Sequence, residues 1–520
     1  MGVSIPANNP IAVLPADQMN GRSISWGEAG RVIRTKGRVA IFLFLLAWGN
    51  GMSASEGGPV RYLAFQIFTG GFDSAEMRAG IPPLNGDCLK IVADLRDAIG
   101  TPGTNGRKLG FILGPIAFDT PDENVRALIR NAFVVALQTG VAAGFHLDDS
   151  MFWGRLEELD AIENVEWSDW NRTPNTGRRL DWSEKPLKIR PQLCFNSPAV
   201  LSAVARRAAL VGEEVARGIQ RLRAAHREDL FLGVIAGWET QIGRDFDTGK
   251  SLGYGALSHA GFSAARPPAD RAVALGKIVE DFIGYWAQAL GKSGVPGDKI
   301  YSHVAFMSED LYQLAARMNP ARGSAPYRQA INFTPPETAF ATSCIPGFST
   351  YPQPGHLEQL QAELKRHGNP PWASCEGTAL DPGEAGHGGR GTNMEGYLGN
   401  LFNHGAVLVN IFGWGVGDRD NPFRRVAEGD GALLAYRKFL RGEELAEAPL
   451  PRPTLPPADL PGKIHRIQSA LPAWVREHDP IRIRPLLEKL DGALKRQQFN
   501  EAAQAADEIL GLIASPPPTK

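Results

Sequence analysis

The feature that most constrains this chain is an alternation. From Tyr62 onward, short runs of aliphatic and aromatic residues are each followed by a stretch with helical spacing. Tyr62–Phe68 ("YLAFQIF") precedes "CLKIVADLRDAIG", and Lys108–Gly114 precedes "ENVRALIRNAFVVALQTG". Gly144–Asp149 is followed by a long polar loop and then "AVLSAVARRAALVGEEVARGIQRLRAA". Phe231–Glu239, Lys299–Phe306, "PPWASCE" and Val407–Gly415 repeat the order, each with a helix candidate behind it. The sixth run is Gln329–Glu337, which has no helix directly after it; Gly347–Pro352 ("GFSTYP") is an alternative for that strand. Near-continuous apolar strands separated by helices imply a parallel sheet covered on both faces. Eight such units in this length predict an α/β fold, the (β/α)8 TIM barrel.

Three segments fall outside the repeat. Residues 1–58 carry Arg31, Arg34, Lys36 and Arg38, then the apolar Val39–Trp48, then small residues, the order of a leader or anchor that directs export to the periplasm or medium; the alternative is an ordinary buried helix or strand in a cytoplasmic protein. The apolar run is short for a membrane span. The barrel is expected over 59–446. Residues 447–462 ("EAPLPRPTLPPADLPG") form a proline-rich linker, and 463–520 a small helical hairpin with a tail, turning near Gln498–Asn500.

Composition removes several function classes. Basic and acidic residues balance, 55 against 56, so no polyanion-binding surface is expected and nucleic acid is not a predicted partner. The four cysteines form no CxxC pair, which argues against a structural zinc site. "RGTNMEG" is glycine-rich but lacks phosphate-loop spacing. No cofactor and no metal are expected.

Strand ends carry the chemistry. In a parallel barrel the C-terminal ends of the strands converge on one face, where catalytic groups sit. Here the third run ends in His146, Asp148 and Asp149, the fourth in Trp238 and Glu239, and the fifth carries His303. The sixth contains Asn332, the seventh ends in Glu376, and the eighth leads to Trp414. Polar ends on apolar strands cost desolvation unless they serve a pocket or an ion pair. Glu239 and Glu376, on opposed strands, suit glycoside hydrolysis: one carboxyl protonates the leaving oxygen while the other attacks the anomeric carbon or activates water. Trp153, close to the third strand end in an aromatic loop (Phe152, Trp167, Trp170, Trp182), is the expected sugar-stacking residue there. Strand alternation would turn Cys375 away from Glu376, into the helix layer.

These same segments bear a family resemblance. "GWETQIGRDFDTGKSLGYGALSHAGFS" resembles the acid/base region of clan-A (β/α)8 glycoside hydrolases, the bacterial β-galactosidases in particular. "WASCEGTA" resembles their nucleophile strand, and "NMEGYLGNLFNHGAVLVNIFGWG" the helix and strand that follow. The resemblance implies Glu239 as general acid/base, Glu376 as nucleophile and Trp414 as a sugar platform, with retention of anomeric configuration. It implies an oligo- or polysaccharide substrate. The clan has Asn before its acid/base glutamate, where this chain has Trp238. "SCEGTA" resembles the corresponding segment of the inverting β-amylases as well, so inversion stays open. Two other readings remain: a metal-dependent hydrolase or lyase using His146, Asp148, Asp149 and His303, and a carbohydrate-binding barrel without catalysis. His146, Asp148, Asp149, Trp153, Trp238, His303, Asn332 and Trp414 are the expected substrate contacts.

Overall fold

Eight strands are buried because each lies between barrel interior and helix layer. The computed structural model describes residues 59–68, 86–104, 106–148, 151, 153–154, 156–180, 187–318, 327–330, 334–380, 393–451, 456–495 and 498–514. The barrel strands are β1 Arg61–Phe68, β2 Arg107–Ile116, β3 Ala142–Leu147, β4 Phe231–Ala236, β5 Ile300–Ser302, β6 Gly347–Ser349, β7 Trp372–Gly377 and β8 Ala406–Ile411. Every residue of β3, β4, β7 and β8 is buried, the pattern that a sheet covered on both faces demands.

All pairings in this sheet are parallel, in the order β5-β4-β3-β2-β1-β8-β7-β6. Bridges Tyr301–Ile345 and Val304–Phe348 join its two ends. Val304 N–H donates to Gly347 O and Ser349 N–H to Val304 O, both at 3.0 Å, so the sheet closes on itself as a TIM barrel. Helices α1 Gly86–Ile99, α2 Asp122–Thr139, α3 Pro198–Ala224, α4 Arg271–Lys292, α5 Glu309–Met318, α6 His356–Arg366, α7 Met394–Phe402 and α8 Asp430–Leu440 accompany the strands in turn. Local sequence starts several of them: Ser197 caps α3 by accepting from Val200 N–H, with Pro198 in the first turn, and Asp270 caps α4.

Small residues let the interior fill. A Cβ on Gly144 would lie 2.3 Å from Leu232 Cδ1, and one on Gly110 2.6 Å from Leu232 Cδ2. Leu232 thus occupies the barrel centre because β2 and β3 offer it no side chain there.

Two expectations need correction. The sixth strand is Gly347–Ser349, not Gln329–Glu337. Tyr327–Ala330 is a helical turn and Pro336–Phe340 a 3-10 turn; Pro335 and Pro336 have no N–H to offer a ladder. Cys375 does not enter the helix layer. Phe348 packs outward against Phe340 and Trp372, so Gly347 faces inward, and Cys375 Sγ lies on the Gly347 side, 3.1 Å from Ser302 O. The cause is a bulge: between the Val409–Ser374 and Ile411–Gly377 pairings β7 spends one residue more than β8, which breaks strict alternation before Glu376.

Beyond the barrel, α9 Leu460–Glu477, α10 Arg484–Lys495 and α11 Phe499–Ala514 pack around Leu460, Ile467, Trp474, Ile483, Leu490, Phe499 and Ile509. The expected hairpin is α10 and α11; α9 is a third helix laid on it. It begins inside the proline-rich stretch, with Pro461 in the first turn, where proline's missing N–H costs nothing. Leu314 of α5 joins this second core. The leader expected over 1–58 and the tail expected over 515–520 fall outside the described residues, as do Asp149, Asn332, Phe152 and Trp182.

Candidate active site

The run "GVIAGWE" ends on a ring and a carboxylate because the backbone turns sharply there. Past β4, Gly237 has φ 102° and Glu239 φ 52°, and Thr240 N–H then returns to His303 O at 3.1 Å. A left-handed backbone is normal for glycine and costs a glutamate about 1 kcal/mol or more. The turn leaves Trp238 buried and Glu239 half-buried. Trp238 stacks on the His146 imidazole, ring centroids 3.9 Å apart and 7° from parallel.

Glu376 arrives from the other side of the barrel, past the β7 bulge. Tyr351, just beyond β6, donates its hydroxyl to Glu376 Oε1 at 2.7 Å. Oε2 is buried and has no hydrogen-bond partner among the described residues. Ser349, at the end of β6, donates to Glu239 Oε1 at 2.8 Å. The two carboxyls feel each other. Burial pushes the Glu376 carboxyl well above the usual range, and the charge of Glu239 pushes it further; the Tyr351 hydroxyl opposes both by favouring the ionised form. Burial, with Glu376 and Glu239 nearby, holds the Tyr351 phenol protonated far above its ordinary value, so it stays a donor.

Beneath the carboxylates lies a layer of polar side chains inside the barrel. His146 Nδ1 is 3.1 Å from Gln66 Oε1, and His146 Nε2 is 3.1 Å from Gly237 O and 3.0 Å from His303 Nδ1. His303 Nε2 lies 2.9 Å from Ser349 Oγ. Asn410 Nδ2 donates to Gln66 Oε1 and to Cys375 O. Burial lowers both imidazoles, His303 to about 3, with the neighbouring ring adding to the effect on His146.

The expected residues therefore separate into groups. Glu239, Glu376, Trp238, His146 and His303 come together at the mouth. Asp148 is buried beside them but turned to its own loop, accepting from Met151 N–H at 3.1 Å. Trp414 is half-buried, edge-on to Phe65 with centroids 5.2 Å apart. Trp153 is fully buried; its indole N–H donates to Pro191 O and the Arg190 guanidinium covers its ring. As packed it holds the long β3–α3 excursion together and shows no face to a sugar. Trp167 is likewise buried, with its N–H on Ile162 O. No group of three or more His, Cys, Asp or Glu is arranged to hold a metal ion among the described residues.

Sequence reasoning missed Ser349, Tyr351 and Gln66. Ser349 and Tyr351 stand in "GFSTYP", the alternative sixth strand, and follow the same rule of polar residues at an apolar run's end. Gln66 is the lone polar residue inside "YLAFQIF", a signal of a partnered interior position.

No protein-family profile matches the chain, and no curated protein sequence matches it. Among solved structures it is similar to the catalytic domain of the β-amylase of Paenibacillus polymyxa, at 9% identity over 73% of this chain and 98% of that one, with a TM-score of 0.43. Similarity to a Bacteroides uniformis β-glucuronidase is 11% identity over 68% of this chain and 30% of that one, with a TM-score of 0.30. A fungal β-1,4-galactanase is 12% identical over 62% of this chain and 86% of its own, with a TM-score of 0.27. These neighbours are glycoside hydrolases, and the likeness is distant; the barrel described above stands on its own strand order and closure.

Proposed function

We propose that this barrel hydrolyses a glycosidic bond between Glu239 and Glu376. The observation that carries the reading is the meeting of two carboxyls from β4 and β7 at the barrel mouth, each clamped through one oxygen by a hydroxyl and close enough for one charge to disturb the other. Such pairs divide acid from base work by having their proton affinities driven apart. In the primary assignment Glu239 protonates the leaving oxygen. Glu376 attacks the anomeric carbon through Oε2, the oxygen that Tyr351 leaves free. Water then releases the sugar, with Glu239 acting as base, and configuration is retained.

One observation favours the opposite division. Burial, with the charge of Glu239, raises the hold of Glu376 on a proton in the free protein, whereas a nucleophile must be ionised. The positive charge that develops at the anomeric carbon would pull Glu376 back toward ionisation. If Glu376 instead keeps its proton, it is the acid, Glu239 activates water and configuration inverts.

A mechanism-based fluoroglycoside panel with peptide mass spectrometry separates these. A covalent sugar on Glu376 and retained product configuration by NMR support the primary assignment. Inverted product with no adduct supports the second. Turnover that survives both Glu239→Gln and Glu376→Gln defeats both; loss of it on chelation instead would favour a metal-dependent hydrolase. Sugar-dependent stabilisation without any turnover would leave a binding barrel.

A further inference from the structure

We propose that Ser349 is the positioning residue of the Glu239 carboxyl and that His303 locks it as a donor, in a closed cycle of hydrogen bonds that begins and ends on residue 239. The inference rests on the glycosidase reading above.

The direction of each bond follows from groups that have no choice. Glu239 N–H lies 3.3 Å from His303 Nδ1 and can only donate. Gly237 O and Gln66 Oε1 are both acceptors, each 3.1 Å from one nitrogen of His146, so a neutral His146 serves only one of them; with its proton on Nε2 it donates to Gly237 O. That proton is shared with His303 Nδ1 at 3.0 Å. The Glu239 N–H thus requires His303 Nδ1 to be bare, and a proton on His146 Nε2 agrees with it, which puts the proton of a neutral His303 on Nε2. Nε2–H then donates to Ser349 Oγ at 2.9 Å and occupies its acceptor side. The Ser349 hydroxyl proton is left to point at Glu239 Oε1, 2.8 Å away.

The consequence is a defined choice of oxygen. With Oε1 committed as acceptor from Ser349, a protonated Glu239 must carry its proton on Oε2. The catalytic proton is thereby assigned to one atom rather than to a rotating carboxyl. The same cycle holds the left-handed backbone at residue 239 through its own N–H. Among the described residues, the ionisable groups around Glu239 include His303 from β5, His146 from β3 behind it, Tyr351 from the loop after β6 and Glu376 from β7. None of them replaces Ser349 as the donor to Oε1 in the bonds above.

The test compares wild type, Ser349→Ala and Ser349→Thr on aryl glycosides with good and poor leaving groups. A misplaced proton donor matters only where the leaving group needs protonation. Ser349→Ala is expected to lose about 10²-fold in kcat on poor leaving groups, the scale of a 1 Å misplacement, with KM little changed. It should lose far less on activated ones, and Ser349→Thr should recover most of the loss. A uniform loss across leaving groups, or no loss, overturns the positioning role. Independently of activity, 15N NMR of histidine-labelled protein should show His303 as the Nε2–H tautomer; an Nδ1–H tautomer overturns the cycle. If wild type hydrolyses no glycoside, or Glu239→Gln hydrolyses as wild type does, the glycosidase reading falls while the NMR result still decides the cycle.

Discussion

At the floor of the barrel, Tyr62 and Tyr301 are buried and Lys299 half-buried beneath the strands' N-terminal ends; at the mouth, Glu239 and Glu376 stand at the C-terminal ends. On the floor each polar group meets its complement. Tyr301 OH donates to Leu232 O at 2.9 Å, Tyr62 OH lies 3.3 Å from Asp229 O and Phe231 O, and Lys299 Nζ lies 3.1 Å from Tyr62 OH. Lys108 and Asp229 pair at 2.7 Å beside them. The mouth pairs two groups of like charge and leaves Glu376 Oε2 buried without a partner among the described residues. A fold gains nothing in stability from that arrangement. The difference teaches where to look for chemistry: not where ionisable groups are buried, but where burial leaves them in conflict.

The largest effect should come from relieving the conflict. Glu376→Gln is expected to lower hydrolysis about 10³-fold while leaving the fold intact. It should also raise unfolding free energy at neutral pH by about 1 kcal/mol, because a glutamine is buried without the proton that Glu376 must take up on folding. The pH dependence has a definite sign. With its folded value raised, Glu376 holds a proton in the native state that the unfolded chain has already released. Wild-type stability, measured against the Gln variant, must fall as pH rises from about 4.3, the ordinary glutamate value, until the raised native value is passed. Urea titrations of both proteins across that range give the result; parallel curves would mean that the mouth is no more strained than the floor.

Next come changes in the packed layer between the two ends. Gly144→Ala places a methyl 2.3 Å from Leu232 Cδ1 and should cost about 1–3 kcal/mol by overpacking, with turnover per folded molecule unchanged. Tyr62→Phe on the floor should cost about 1 kcal/mol through lost hydrogen bonds, again without effect on turnover. Urea unfolding and active-site-normalised kinetics check both. If either variant shifts the leaving-group dependence of hydrolysis, the division between a structural floor and a chemical mouth is broken.

Much of this was legible in the sequence, and the exceptions have physical reasons. The barrel could be read because buried parallel strands need continuous apolar runs, such as "FLGVIA", and these are visible without partners. The two glutamates could be read because each ends such a run. The sixth strand misled because it is only three residues long, Gly347–Ser349, while the longer Gln329–Glu337 has the better composition and two prolines that forbid a ladder. Cys375 misled because a one-residue bulge is a property of the β7–β8 pairing and leaves no mark in β7 alone. Trp153 was placed by its nearness to a strand end, whereas burial of an indole depends on the whole excursion that folds over it. The cycle through His303 and Ser349 joins residues far apart in the chain, so no local pattern encodes it.

The smallest predicted effect is on the floor, and its sign opposes that of the mouth. Burial is the main influence on Lys299 and lowers it to about 8, with Asp298 acting against the shift. An unfolded lysine keeps its proton up to about 10.4. Above about pH 8, then, the unfolded chain binds a proton that the native state has lost, and stability contributed by this residue rises with pH. The slope cannot exceed about 1.4 kcal/mol per pH unit for one group, and partial protonation reduces it to about 1 kcal/mol or less between pH 8 and 9. Lys299→Met removes this term, so its unfolding free energy should lose ground to wild type over that unit. The Glu376→Gln variant, altered at the other end, should follow the wild-type slope there once Glu376 is ionised in the native state. Should Lys299→Met run parallel to wild type, Lys299 keeps its charge in the native protein through a stronger partner than Tyr62, and the floor would then bury a full charge as the mouth does.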